Sequence, residues 1–373
     1  MARDFHYTLP AGTALAQRRL YNVHLDLTLL VALIAIAAFG LLVLDTVSEQ
    51  AGIVTGQMIR VGLALAAMVV LAQLEPRTYL RWAPIVYLVG LSLLVLVLVL
   101  GVTAKGSTRW LDLPGLPRFQ PSEMMKLAVP LAVAWYIHER SVPPRGRHLL
   151  VAVGLCIVPA ALIAPQPDLG TSLLVAGGGL AVIVLAGIRW WLVAAAGGAM
   201  VAAAPVLWLF LNDYQRNRIL TFLNPEQDPL GHGWNIAQSK IAIGSGGLFG
   251  KGLGEGTQSQ LDFLPESSTD FIIAVVGEEL GLVGAMLLLA LYLVVIARAL
   301  FMATSSPTTF GRLVAGALTL VFFAYVFVNI AMVSGLLPVV GVPLPLVSYG
   351  GTSAITLLAG FGIVMSIHSH RGW

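Results

Sequence analysis

Ten stretches of about twenty mostly apolar residues recur along this chain, at roughly 25–45, 56–74, 83–103, 120–138, 148–165, 170–188, 190–211, 269–297, 311–334 and 352–369. About 20 such residues in a helix match the hydrocarbon thickness of a bilayer. The composition agrees: 58% of the 373 residues are hydrophobic, 10% are charged, and the mean hydropathy is +0.88. Soluble domains carry about 25% charged residues, and a soluble core of 39.5 kDa could not hide this much apolar surface. The expected fold is therefore an all-α polytopic membrane protein of about ten transmembrane helices, read as a single domain over 1–373. The fourth and eighth stretches give the weakest signal, because each carries charges.

The distribution of Lys and Arg sets an orientation. With the N-terminus inside, the cytoplasmic segments hold Arg18, Arg19, Arg77, Arg81, Arg140, Arg145, Arg147 and Arg298, among others. The opposite face has three short connections, 46–55, 166–169 and 335–351, with no basic residue at all. Both termini are then cytoplasmic, residues 1–24 form a cytoplasmic tail, and residues 212–268 form one large extracytoplasmic loop. That loop is far longer than an ordinary connection, which makes it a candidate functional segment.

Ionisable groups at membrane depth are costly and by default mark function. Six of them share one level just under the outer surface: Arg60, Arg118, Glu123, Lys126, Asp168 and Asp270. Pro121 suits the first position of a helix, and Glu123 and Lys126, three residues apart, lie on one face of it. They form either a self-neutralising ion pair or part of a basic layer for an anionic partner; a phosphate or pyrophosphate would satisfy such a layer. Asp270 follows Ser267-Ser268-Thr269 at a helix start. It is either a first-turn acid favoured by the helix dipole or an ionised group able to accept a proton. Asp168 is expected to shape a turn or cap the next helix. One of Glu278 and Glu279 is expected to be paired structurally.

Several function classes are disfavoured. Basic residues are not clustered in a patch, so no nucleic-acid partner is indicated. The glycine-rich stretch Gly244–Gly256 has seven glycines but neither a dinucleotide fingerprint nor a P-loop, and no organic cofactor is expected. The seven histidines show no zinc-ligand spacing, although a carboxylate-bound Mg²⁺ or Mn²⁺ would leave no such trace. Cys156 is the single cysteine, which rules out an intrachain disulfide framework. Residues 234–243 could form a short amphipathic helix on the membrane surface.

Four stretches resemble the SEDS family (shape, elongation, division and sporulation), and within it the RodA branch. They are Arg118-Phe-Gln-Pro-Ser-Glu123-x-x-Lys126; Gln166-Pro-Asp-Leu-Gly-Thr-Ser172; Gly256-Thr-Gln-Ser-Gln-Leu-Asp-Phe-Leu-Pro-Glu-Ser-Ser-Thr-Asp270-Phe; and Gly335-Leu-Leu-Pro338 through Pro345-Leu-Val-Ser348-Tyr-Gly-Gly-Thr-Ser353. One departure is visible: Ser268 stands where the family commonly has His. The resemblance implies a peptidoglycan glycosyltransferase of the bacterial cytoplasmic membrane that uses lipid II during cell elongation. It also implies a class B penicillin-binding protein as partner, other elongation proteins such as MreC, and support of activity by a divalent cation, Mg²⁺ or Mn²⁺. In the family the residue matching Asp270 is essential, and those matching Arg118, Gln120, Glu123, Lys126 and Arg60 are functionally sensitive.

The mechanism expected from these residues has Asp270 as general base for attack by the acceptor sugar's 4-hydroxyl on the donor's anomeric carbon. Arg60, Arg118 and Lys126 would stabilise the departing undecaprenyl pyrophosphate, with Glu123 orienting Lys126, Gln120 in the binding set, and Arg216 and Arg218 as secondary phosphate contacts. A flippase for the lipid-linked precursor and a non-catalytic scaffold of the elongation machinery are the alternative readings. Transporters place their sites near the midplane between repeats, whereas these charges occupy one outer layer.

Overall fold

The structure is a computed structural model that describes residues 23–47, 52–104, 107–112, 118–140, 142–166, 168–210, 213–224, 232–261 and 263–370. Most of the expected N-terminal tail, 1–24, lies outside the described residues.

Among the described residues, seven helices come first: α1 (Leu27–Val47), α2 (Ile53–Gln73), α3 (Pro76–Leu100), α4 (Pro121–Ile137), α5 (Arg147–Ile163), α6 (Leu169–Leu185) and α7 (Trp190–Phe210). Three short helices follow, α8 (Asp213–Leu223), α9 (His232–Ser245) and α10 (Thr257–Gln260). The last four are α11 (Ile272–Glu279), α12 (Gly281–Thr304), α13 (Thr309–Val333) and α14 (Thr352–Ser369). Six of these, α1, α2, α3, α12, α13 and α14, are long and apolar enough to cross a membrane, and α5, α6 and part of α7 are shorter apolar helices. The chain is an all-α polytopic membrane protein, as its hydropathy predicts.

The helices α13 and α14 form the centre of the bundle, with 67% and 78% of their apolar windows buried. In contrast, α7 buries none of its described side chains. The first described residues and the last share one end of the bundle. His24 stacks on His370 with ring centroids 3.7 Å apart, and Asp26 pairs with Arg298 at 2.6 Å. Thr46, a helix length away on α1, meets Glu279 at the other end.

Two expectations need correction. The third apolar run, 83–103, overshoots its helix: α3 stops at Leu100 and a small antiparallel hairpin takes over, β1 (Val102–Ala104) with β2 (Ser107–Trp110). The expected helix over 234–243 forms as α9, whose Ile236, Ser239 and Ala242 are buried while Ile241 and Ile243 stay exposed. Ser239 donates from Oγ to the Val333 carbonyl at 2.8 Å, so the inner face of α9 packs on the end of α13. Finally, the run 269–297 is not one helix. It divides at Leu280, and the spanning part is α12.

The glycine-rich stretch makes that division. Lys251 N donates to Glu278 O and Gly252 N to Glu279 O, while Leu282 N and Val283 N donate to the carbonyls of Gly247 and Leu248. One loop thus satisfies the last carbonyls of α11 and the first amides of α12, which a helix end cannot satisfy alone. Such contact requires bare backbone. A Cβ on Gly250, whose φ is +80°, would stand 2.1 Å from Glu279 O and 2.4 Å from its carbonyl carbon. We expect Gly250→Ala to lower the unfolding midpoint by an amount equivalent to about 2–5 kcal/mol, from left-handed strain and overpacking together. Gly197→Ala, on open α7 where nothing lies within 4 Å, should be neutral or slightly stabilising. Equal midpoints for the two variants would show that the loop does not press on the helix junction.

Candidate functional site

Asp270 does not sit in the first turn of a helix. It lies in the turn before α11, whose first residue is Ile272, so α11 has no acid in its opening turn. Three successive carbonyls of this turn are taken by donors from elsewhere. Tyr349 N donates to Ser268 O, Ser348 Oγ to Thr269 O, and Asn329 Nδ2 to Asp270 O at 2.9 Å. The half-buried carboxylate of Asp270 lies beside Gly341, with Oδ2 3.6 Å from where a Cβ there would stand.

Lys126 lies on the second turn of α4. Its ammonium donates to Glu123 Oε1 at 2.6 Å and to the Tyr325 hydroxyl, and all three side chains are buried. Pro121 occupies the first helical position, so α4 enters with Glu123 and Lys126 on one face. Tyr325 and Asn329 are four residues apart on α13, hence on one face and about 6 Å apart along its axis. The Lys126–Glu123–Tyr325 cluster therefore stands one helical turn from the group that holds Asp270.

The same end of the bundle gathers the other expected charges, though several are engaged locally. Asp168 caps α6, accepting from Thr171 N at 3.2 Å. Its Oδ2 accepts from Arg109 at 3.0 Å and from Gln120 at 3.2 Å. Gln120 also donates to Ser122 Oγ. Arg118 pairs with Asp112 at 3.3 Å with both side chains exposed, an arrangement worth little energetically. Arg60 lies over the Tyr349 ring, 4.5 Å from its centroid. Arg216, on α8, donates to the carbonyls of Trp208 and Leu209 and closes the end of α7; Arg218 shares that helix. Glu278 is paired with Lys251 at 2.6 Å, as one of the two glutamates was expected to be, while Glu279 accepts from Thr46 at 2.7 Å.

Arg109 and Asp112 join the six expected charges of this layer, each paired with one of them. Arg109, Tyr325, Asn329 and Tyr349 were missed. A signal existed for two of them, because Tyr325 and Asn329 are polar groups inside a run that hydrocarbon would otherwise surround, where such groups serve as interhelical ties. Arg109 lies in the hairpin that hydropathy could not reveal.

Beside this cluster is an apolar cavity of 340 Å³ between α6 and α13, walled by Gly170, Leu174, Gly178, Val328, Val340 and Val342 among others. Val342 O accepts the second hydrogen of the Asn329 amide at 2.8 Å, so the cavity wall and the Asp270 turn share one support.

The sequence from 18 to 372 matches the model of the FtsW/RodA/SpoVE family, described as cell cycle protein. The peptidoglycan glycosyltransferase MrdB of Escherichia coli K12 is 55% identical over 352 residues, covering 94% of this chain and 95% of that protein. A probable peptidoglycan glycosyltransferase FtsW of Trichlorobacter lovleyi is 37% identical over 361 residues, covering 92% of each. Among solved structures, a chain from work on the structural coordination of polymerization and crosslinking by a peptidoglycan synthase complex superposes with TM-score 0.81 at 32% identity, covering 93% of this chain and 98% of its own length. The rod shape determining protein RodA of Thermus thermophilus superposes with TM-score 0.70 at 29% identity over the same shares.

Proposed function

The chain belongs to the FtsW/RodA/SpoVE family, and on that premise we propose how its site performs the reaction. It is a multi-pass membrane peptidoglycan glycosyltransferase that polymerises lipid II into glycan strands. Asp270 is the general base. Its carboxylate takes the proton from the 4-hydroxyl of the acceptor's GlcNAc as that oxygen bonds to the anomeric carbon of the donor strand. The bond from that carbon to the pyrophosphate breaks, and undecaprenyl pyrophosphate leaves with the electron pair. Pyrophosphate is already a good leaving group, so no protein acid is needed. A single displacement converts the α-linked donor to a β-linkage.

Arg60 and Arg118 stabilise charge developing on the departing phosphates. Lys126 adds its charge from one turn deeper, held by Glu123, and Gln120 steadies Asp168 at the head of α6. The apolar cavity suits a prenyl chain, and α8, with Arg216 and Arg218, belongs to the cover over the site. Among the described residues no three His, Cys, Asp or Glu side chains gather into a metal cage. A Mg²⁺ would need only one or two carboxylates, as a Mn²⁺ would, and when bound would supply positive charge for the departing pyrophosphate. The site faces the outside of the cytoplasmic membrane, both termini lie inside, and a class B penicillin-binding protein, with MreC and other elongation proteins, works alongside.

The observation that carries this reading is Asp270, held from three sides next to an apolar cavity. Purified protein in detergent, given lipid II with and without its partner and a chelator, should form polymer. Transport has no meaning in that setting, so a protein that binds lipid II there without ever polymerising it would favour a flippase or scaffold.

A further inference from the structure

We propose that Asn329 is a positioning residue for the glycosyl transfer: its amide fixes the distance between the Asp270 base and the wall of the apolar cavity. The inference rests on Asp270 being the base.

Residues 268–270 are not helical, so their carbonyls find no partner within a helix and must be satisfied from elsewhere. Two of the three donors, Tyr349 N and Ser348 Oγ, belong to one loop and would move with it. The third, Asn329, stands on the central helix α13 and is fully buried. Its two amide hydrogens point to different segments, one to Asp270 O at 2.9 Å and one to Val342 O at 2.8 Å. Val342 and Val340 wall the cavity, and Gly341 between them faces the Asp270 carboxylate. A single planar amide thus spans the base and the place where the substrate's apolar part would lie.

The side chain must be an amide in this orientation. Turned over, its oxygen would face two carbonyl oxygens. An ionised carboxylate would be repelled by both, and leucine of similar volume would leave both unsatisfied. The remaining atom, Oδ1, is buried with no partner. That loss offsets much of what the two hydrogen bonds contribute, so the effect of the amide is mainly geometric. A misplacement of about 1 Å at a reacting group can slow a reaction about a hundredfold.

The test uses purified full-length Asn329→Leu with lipid II as substrate, run beside the wild type and Asp270→Asn, with folded fraction taken from thermal unfolding. Turnover per folded molecule should fall about tenfold to a hundredfold, while KM for lipid II stays within about threefold, since positioning of the base acts on the chemical step. If Asn329→Leu gives no folded protein, Asn329→Ala, which removes both donors and leaves room for water at the two carbonyls, takes its place with the same expectation. Normal turnover per folded molecule overturns the proposal, as does a rise in KM that alone accounts for the loss. Should Asp270→Asn itself polymerise normally, the base assignment fails instead, and the two failures are told apart.

Discussion

Lys126→Met is expected to destabilise the protein strongly, by about 3–5 kcal/mol, the usual cost of removing one partner from a buried ion pair. Lys126 is 3% exposed and Glu123 is 6% exposed, so neither can turn to water when the other is lost. Glu123 already has one oxygen, Oε2, without a partner, and the substitution would orphan the other as well. The Tyr325 hydroxyl would lose its partner in the same step. Replacing both members, as Lys126→Met with Glu123→Leu, removes the uncompensated charge. Stability should then largely return, because well-packed apolar residues often replace a buried pair at no cost. Activity should not return, since the proposed mechanism needs the Lys126 ammonium itself. The unfolding midpoint in detergent decides the matter: an unchanged midpoint for Lys126→Met would mean that the pair is not closed in the folded protein.

The sequence revealed those features that depend on near neighbours or on the bilayer itself. The apolar runs correspond to helices because hydrocarbon thickness dictates their length. Pro121 marked the start of α4, and the spacing of Glu123 and Lys126 put them in contact. Asp168, three residues before Thr171, read as a cap and is one. What stayed hidden depends on distant backbone. Leu280-Gly281-Leu282 follows Glu278-Glu279 within one largely apolar stretch, and the helix divides there because a loop about thirty residues earlier supplies its hydrogen bonds. Ser267-Ser268-Thr269-Asp270 has the look of a helix cap, but the turn is held from outside by Asn329 and Ser348. Tyr325 completes the Lys126 cluster from 199 residues away, a distance no local pattern can express.

Asp270→Asn should reduce polymer formation by about 10²–10⁴-fold, the usual contribution of a general base. The change is nearly isosteric. The main-chain carbonyl that Asn329 holds is kept, as are the bonds to Ser268 O and Thr269 O, so the turn should keep its shape. The substitution takes away the carboxylate that the proposed mechanism uses as proton acceptor. In the proposed mechanism substrate binding draws on the apolar cavity and the arginines rather than on this oxygen, so KM should change far less than turnover, the pattern of an interaction made only in the transition state.

Turnover at saturating lipid II, measured for folded wild type and folded Asp270→Asn in detergent, tests the account most directly. A deficit of about a hundredfold or more in the variant, with lipid II still bound, is the result the account predicts. Polymerisation within a few-fold of the wild type would contradict it.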